Sequence, residues 1–251
     1  MNKISSVLGL VTFSIASAGM ASAFAADIDI AASKSAPAGQ TYGRWAAAWW
    51  QWALGIPAAE DPVVDTTGQS CSQRQVDDVW FLAGSFGAVP VVRNCEVPAG
   101  TSLFFPLINQ FAAAFLNDPP NTRTEQFLRN VARCTEPAQI SMRIDGSKVS
   151  KELLVFTGAS GSQSPLFNVQ LPPDTIAKPP LDPVFVSSNV FGLTQNEVPE
   201  LLLSPTAEQG YYVFLYPLRP GPHTIAWTAS GCAPGFSQDI TYHLTVVGSP
   251  H

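Results

Sequence analysis

Proline occurs 22 times in the 251 residues, about 9% of the chain against a usual ~5%, and its positions run from Pro37 to the C-terminus. Each proline removes a backbone donor and fixes φ, so neither a long helix nor a central strand passes through it unbroken. Apolar segments between the prolines are short, and the architecture they permit is many short strands joined by tight turns. Charge narrows the choice further. Charged residues are 13% and hydrophobic residues 46% of the chain, whereas an ordinary soluble domain carries ~25% charge. Disorder needs low hydrophobicity with high charge, and a helical repeat needs abundant Glu, Lys and Arg, so both are excluded. With a net charge of −6, the basic footprint of a nucleic-acid partner is missing as well.

The N-terminus reads as an export signal over residues 1–25. Lys3 gives a positive start, Val7 to Ala18 is almost continuously apolar, and Ala23-Phe24-Ala25 offers a small-x-small cleavage site. A periplasmic or secreted location is therefore expected, with no transmembrane segment after the signal is removed. Export permits disulfides, and Cys71, Cys95, Cys134 and Cys232 form an even set. Of the three possible connectivities the expected one is Cys71–Cys95 with Cys134–Cys232. Zinc is a poor alternative because no C-x2-4-C pair occurs and no His lies near a Cys.

Residues 26–40 read as a flexible leader, and 41–251 as one domain. Tyr42 to Ile56 predicts a helix on which Trp45, Trp49, Trp52 and Ile56 share one stripe while Trp50 falls off it. Val79–Ala83 and Leu103–Ile108 read as strands buried on both faces, with Pro106 marking a bulge or an edge. Thr122-x-x-Glu125 fits a capping box for a second, short helix with Phe127, Val131 and Cys134 inward. Alternation at Ile140, Met142 and Ile144 ends in an Asp145-Gly146 hairpin turn, and strands follow at Phe167–Leu171, Tyr211–Tyr216, His223–Thr228 and Ile240–Val247. Residues 172–208 read as a long Pro-rich connection. The fold class is mainly β: a β-sandwich, jelly-roll-like, with an N-terminal Trp-rich helix and one further short helix.

Several of these segments resemble a family of exported bacterial proteins of uncharacterised activity. They include Trp45-x3-Trp49-Trp50-Gln51-Trp52-Ala53, Val79-Trp80-Phe81-Leu82-Ala83-Gly84, Arg93-x-Cys95-x-Val97-Pro98 and Asp239-Ile240-Thr241-Tyr242-His243-Leu244. The likeness runs from about residue 42 to 247, departs at Pro172-Pro173-Asp174, and implies export and a single-domain unit. It implies no catalytic residue.

Motifs for serine hydrolases, zinc proteases and phosphate-binding loops are missing from the sequence, and no cofactor or metal is implied. The candidate ligand-binding residues are Trp50, Asp65, Asp78, Trp80 and Arg93. A cleft floored by Trp50 and Trp80 would grip sugar rings, whose CH faces pack on aromatic side chains, and Arg93 would contact an anion. His223 and His243 would share one face, with Asp239, if their strands paired with these odd-numbered residues opposed. These features point to a noncatalytic exported protein binding a glycan or a cell-envelope partner. The alternatives are a carbohydrate-active enzyme, hydrolase or lyase, using carboxylates among Glu60, Asp61, Asp65, Asp77 and Asp78, and a structural envelope component.

Overall fold

Helix α1 (Tyr42–Gly55) begins where Thr41 caps it, the hydroxyl accepting from the Arg44 N–H at 3.4 Å. Its tryptophans are buried both on the stripe and off it: Trp45, Trp49, Trp50 and Trp52 are each at most 7% exposed. Three of the indoles donate to backbone carbonyls, Trp45 to Pro37, Trp49 to Leu82 and Trp52 to Gln73, each at 2.9 Å. Gly43 lets the helix approach closely, since a Cβ there would lie 2.3 Å from the Gln163 carbonyl oxygen. This computed structural model describes residues 28–75, 78–87, 90–135, 138–177 and 184–248; the signal expected over 1–25 lies outside them.

Twelve strands follow among the described residues. The first are β1 (Val79–Phe81), β2 (Val91–Pro98), β3 (Ser102–Ala113), β4 (Gln139–Ile144), β5 (Ser147–Lys148) and β6 (Val155–Phe156). Then come β7 (Phe167–Gln170), β8 (Thr175–Ala177), β9 (Val184–Val186), β10 (Leu202–Leu215), β11 (Gly221–Ser230) and β12 (Ser237–Val247). A short helix α2 (Glu125–Val131) lies between β3 and β4. One five-stranded sheet has the order β1-β3-β10-β6, with β7 also on β10; the second has the order β2-β12-β11-β4-β5. β8 and β9 form a separate ribbon.

The two sheets face one another, and α1 covers the far side of the first. The layering is legible in the burial patterns. β2 alternates strictly, buried then exposed, because only one face of the second sheet is covered. In contrast β3 is buried without a break from Ser102 to Ile108, because it has the inter-sheet core on one side and α1 on the other. The sandwich read from the strand spacing is thus the fold. Most ladders are antiparallel, but β1 with β3 and β2 with β12 pair in parallel.

A bulge sits where Pro106 predicts one. Tyr211 pairs with Ile108 and Tyr212 with Pro106, leaving Leu107 as the extra residue on β3. Its carbonyl instead accepts the Trp227 indole N–H at 3.1 Å. The bulge inverts the strand's alternation. Before it, Leu103 and Phe105 face the inter-sheet core and Phe104 faces α1; after it, Phe111 packs on the α1 side.

Both expected disulfides are present, Cys71–Cys95 and Cys134–Cys232, closing separations of 24 and 98 residues. Such cross-links belong to an oxidising compartment. Among the described residues no helix is long and apolar enough to cross a membrane.

Three expectations need correction. Residues 28–40 of the leader are docked rather than loose. Ile30 bridges Leu215, Ala31 N–H donates to Phe214, and the Tyr42 hydroxyl donates to the Ala31 carbonyl, so backbone pairing holds the segment at the end of β10. The connection over 172–208 contains β8, β9 and the first half of β10, which begins at Leu202 because Leu202 and Leu203 pair with β7. Helix α2 is capped by Thr124, not Thr122, its hydroxyl accepting from Phe127 N–H. Its inner face is also not the expected one: Phe127 and Val131 are exposed, and Leu128 and Ala132 are buried against Ala112, Ala114 and Ala207.

Candidate functional site

β1 pairs with β3 only as far as Phe104, after which the chain departs through Leu82 to Phe86. From Pro106 onward that edge of β3 has no β1 neighbour, and Pro106 itself has no N–H to offer. A cavity of about 270 Å³ occupies this edge. Trp49, Trp50 and Ala53 of α1 form one wall, Gly84–Phe86 a second, and Ala233, Phe236 and Gln238 of the β11–β12 region a third. Pro106 to Gln110 forms the floor and Phe111 joins the Trp50 wall, so the bulge lies at the base of the site.

The walls are chiefly aromatic. Trp50 meets Trp49 edge-on at 5.0 Å and Phe111 at 4.6 Å. Phe191 extends the wall, 6.0 Å from Phe111 and 6.3 Å from Phe86. Phe86 and Phe191 are exposed, 46% and 39%, which places apolar surface at the mouth. Polar groups are few. Gln238 clamps Ser85 through both backbone groups, and Gln110 Nε2 is committed to the carbonyls of Ala132 and Arg133. Asn109, half-buried, and Gln110 each have an amide oxygen that takes no bond from a described residue.

Asn109 is tied to a buried polar cluster behind the wall. Glu208, Gly210, Tyr212 and Phe214 alternate along β10 and project to the α1 side. Gly210 pairs with Asn109, and a Cβ at Gly210 would lie 2.4 Å from the Asn109 Cβ, so only glycine leaves room. Asn109 Nδ2 donates to the Tyr212 hydroxyl at 3.1 Å, and that hydroxyl donates to Glu208 Oε2 at 2.8 Å. Thr157 Oγ1 donates to the same oxygen at 3.1 Å. Glu208 is fully buried, with Oε1 left unpaired and the Ser164 hydroxyl facing it. Burial pushes its carboxyl up to about 7; the Tyr212, Ser164 and Thr157 hydroxyls and the charge of Arg129 oppose the shift without cancelling it. Burial and the adjoining Glu208 carboxylate likewise drive the Tyr212 phenol far above its ordinary value.

The expected site residues are dispersed. Trp50 lines the cavity, but Trp80 belongs to the inter-sheet core on the opposite face of the first sheet, so the two do not floor a common cleft. Alternation along β1 is the reason: Val79 and Phe81 face α1 and Trp80 faces away. Arg93 takes an inward position on β2 and is 1% exposed. Its donors are spent on the carbonyls of Asp65, Val63, Ala83 and Gly84 and on the Tyr242 hydroxyl, which leaves none for an anion. Asp65 is a turn former, its carboxylate accepting from the N–H groups of Thr67, Gly68 and Ser70 and from the Thr67 hydroxyl. Burial would raise its pKa, yet these bonds together hold it below the usual carboxylate range. Asp78 is exposed, Glu60 is exposed, and Asp77 lies outside the described residues.

Asp61 is buried, with Oδ1 accepting from Val63 N–H and Oδ2 unpaired. Burial lifts it to about 7 against that hydrogen bond and the charge of Arg93. The two histidines are separated by one residue of register: His223 opposes Leu244 and Thr224 opposes His243, so the rings point to opposite faces. His223 bonds Asp145 of the β4–β5 turn at 2.7 Å. Among the described residues no group of three or more His, Cys, Asp or Glu gathers to hold a metal.

Fold and site together define a disulfide-linked β-sandwich with one helix-backed sheet and an aromatic pocket at that sheet's edge. No protein-family model matches the chain, and no curated protein matches it. One solved structure with detectable similarity is a family 123 glycoside hydrolase from Clostridium perfringens, described for glycolipid glycan hydrolysis. Identity is 9%, the TM-score is 0.24, and the match covers 62% of this chain and 23% of that one. The chain therefore spans less than a quarter of that enzyme's length, and so loose a superposition carries no argument about activity.

Proposed function

We propose that this protein is an exported, noncatalytic binding domain whose ligand site is the aromatic pocket at the edge of β3. The observation that carries the reading is the pocket itself: about 270 Å³ walled by Trp49, Trp50, Phe86, Phe111 and Phe236, with Asn109 in the floor. A concave, mainly apolar cavity with a few placed polar groups is the usual form of a small-molecule site. Its lining of aromatic, aliphatic, amide and hydroxyl side chains holds a ligand by shape and hydrogen bonding. The candidate carboxylates of a hydrolase lie elsewhere, at turns or under Arg93. Export and disulfide cross-links make a cell-envelope or extracellular compound the natural occupant.

A sugar ring is the second reading, favoured by the exposed Phe86 and Phe191 at the mouth beside the amides of Asn109 and Gln110. Tryptophan fluorescence distinguishes the two, because Trp49 and Trp50 wall the site. Titration with small aromatic compounds is expected to change the emission and to raise Tm, with Phe111→Ala weakening the response. Monosaccharides giving the response instead would support the sugar reading. If neither set changes the emission or Tm, the pocket is not a ligand site.

A further inference from the structure

The hydrogen-bond chain behind the pocket has a direction. A phenol carries one proton, and that of Tyr212 is spent on Glu208 Oε2 at 2.8 Å. Toward Asn109 the hydroxyl can only accept, so the amide must present its nitrogen to Tyr212, as it does at 3.1 Å. Of the Asn109 amide, the oxygen, an acceptor, then takes no bond from any described residue, and the second hydrogen of Nδ2 has no partner among them either. Trp50 reinforces this polarity: its indole N–H is turned toward the same hydroxyl without completing a bond. Resting on the binding reading above, we propose that the pocket takes a flat aromatic ligand bearing one hydrogen-bond donor, a phenolic hydroxyl or an indole-type N–H, which pairs with Asn109 Oδ1.

Shape and size agree with this class. An apolar cavity of ~150 Å³ accommodates benzene, so about 270 Å³ holds one substituted ring or two fused rings. The Trp49, Trp50 and Phe111 rings meet at tilted and edge-on angles, which are the geometries aromatic ligands extend. A ligand offering only an acceptor would leave the Asn109 Oδ1 unpaired inside the pocket.

The chain also links the pocket to a proton. Facing Glu208 are Tyr212 of its own strand, Thr157 after β6, Ser164 before β7 and the Arg129 charge on α2. When Glu208 is protonated it can donate to the Tyr212 hydroxyl, which then donates onward to an inverted Asn109 amide. Thr157 has the Gly210 carbonyl at 3.3 Å as its alternative acceptor. The amide then turns its nitrogen to the pocket, and the preference for donor ligands fades.

The test compares phenol with anisole and indole with 1-methylindole, each pair differing by methylation of the donor, by fluorescence titration and calorimetry at pH 8 and pH 5.5. At pH 8 the parent compounds are expected to bind about tenfold tighter than the methylated ones. In Asn109→Leu the difference should shrink below about twofold while binding persists. In Glu208→Gln the preference should no longer change with pH. Equal binding of parent and methylated compounds by the wild-type protein would overturn the donor inference and leave the pocket standing. No binding of any of the four would overturn the pocket reading itself. Should Asn109→Leu fail to fold, the wild-type comparison decides alone.

Discussion

Replacing Glu208 by glutamine should make the protein less sensitive to pH, and the size of the change can be worked out. The carboxyl is fully buried, and burial raises it from the ordinary 4.5 to about 7. Between these values the folded chain holds a proton that the unfolded chain has released. Stability therefore falls as pH rises through this window, and is flat below 4.5 and above 7 with respect to this group. Each pH unit is worth ~1.4 kcal/mol, so the whole effect is roughly 3 kcal/mol, of which about 2–3 kcal/mol lies between pH 5 and pH 8. Asp61, raised from 3.8 to about 7, acts in the same direction. Asp65, held low, acts in the opposite sense: its contribution is present above its ordinary 3.8 and is lost as pH falls below that value, outside the chosen range. Glutamine keeps the shape and can still accept from Tyr212, but cannot ionise.

The assay is urea unfolding of wild type and Glu208→Gln at pH 5 and pH 8, with the disulfides intact. At an m-value of ~2–3 kcal/mol/M the wild-type midpoint should fall by about 1 M more than the variant's on going to pH 8. The variant should accordingly be the more stable protein at pH 8. Parallel shifts of the two midpoints would refute the reasoning, since they would mean that Glu208 has the same affinity for its proton folded and unfolded.

Arg93→Met should cost about 3–5 kcal/mol by orphaning buried carbonyls, lowering Tm by about 10 °C in thermal unfolding; a fall under 2 °C would contradict the role assigned to it. Joint replacement of Cys71 and Cys95 by serine should remove ~3 kcal/mol for the 24-residue separation, measurable as a lower urea midpoint. Gly43→Ala should destabilise by about 2–3 kcal/mol, despite the ~1 kcal/mol that alanine gains in a helix, because its Cβ would strike the Gln163 carbonyl; an unchanged midpoint would show that α1 can shift freely.

Sandwich layering was legible in the sequence because burial writes itself into periodicity. Val91, Arg93, Cys95 and Val97 alternate with the exposed Val92, Asn94, Glu96 and Pro98 on a strand covered on one face, and the unbroken Leu103–Ile108 run belongs to a strand covered on both. The same alternation carried a signal about Arg93 that composition obscured: a lone arginine at an inward position is expected to spend its donors internally. A strand read from Tyr211 onward leaves Glu208 out, although β10 begins at Leu202. Continuing the two-residue alternation back from Phe214 through Tyr212 and Gly210 leads to Glu208 on the same face. Opposed residues are harder to read. The separation of His223 from His243 depends on one residue of register, which pairing across strands decides and neither strand encodes alone.

The position of the pocket follows from the layering. A sheet buried by a second sheet on one side and a helix on the other has only its edge at which a ligand can reach the interior. On β3 that edge opens where β1 departs, and Pro106 keeps it from recruiting another strand. The bulge at Leu107 then changes which residues face α1, which turns Asn109 and Phe111 toward the site and lets Asn109 reach Tyr212. Without the extra residue, Asn109 would point between the sheets, away from the α1 side and the Tyr212 hydroxyl it reaches here. One proline-marked irregularity thus closes the strand edge to pairing and aims the amide, and the chain's scarce carboxylates matter most where, as at Glu208, a hydrogen-bond chain ties them to that amide.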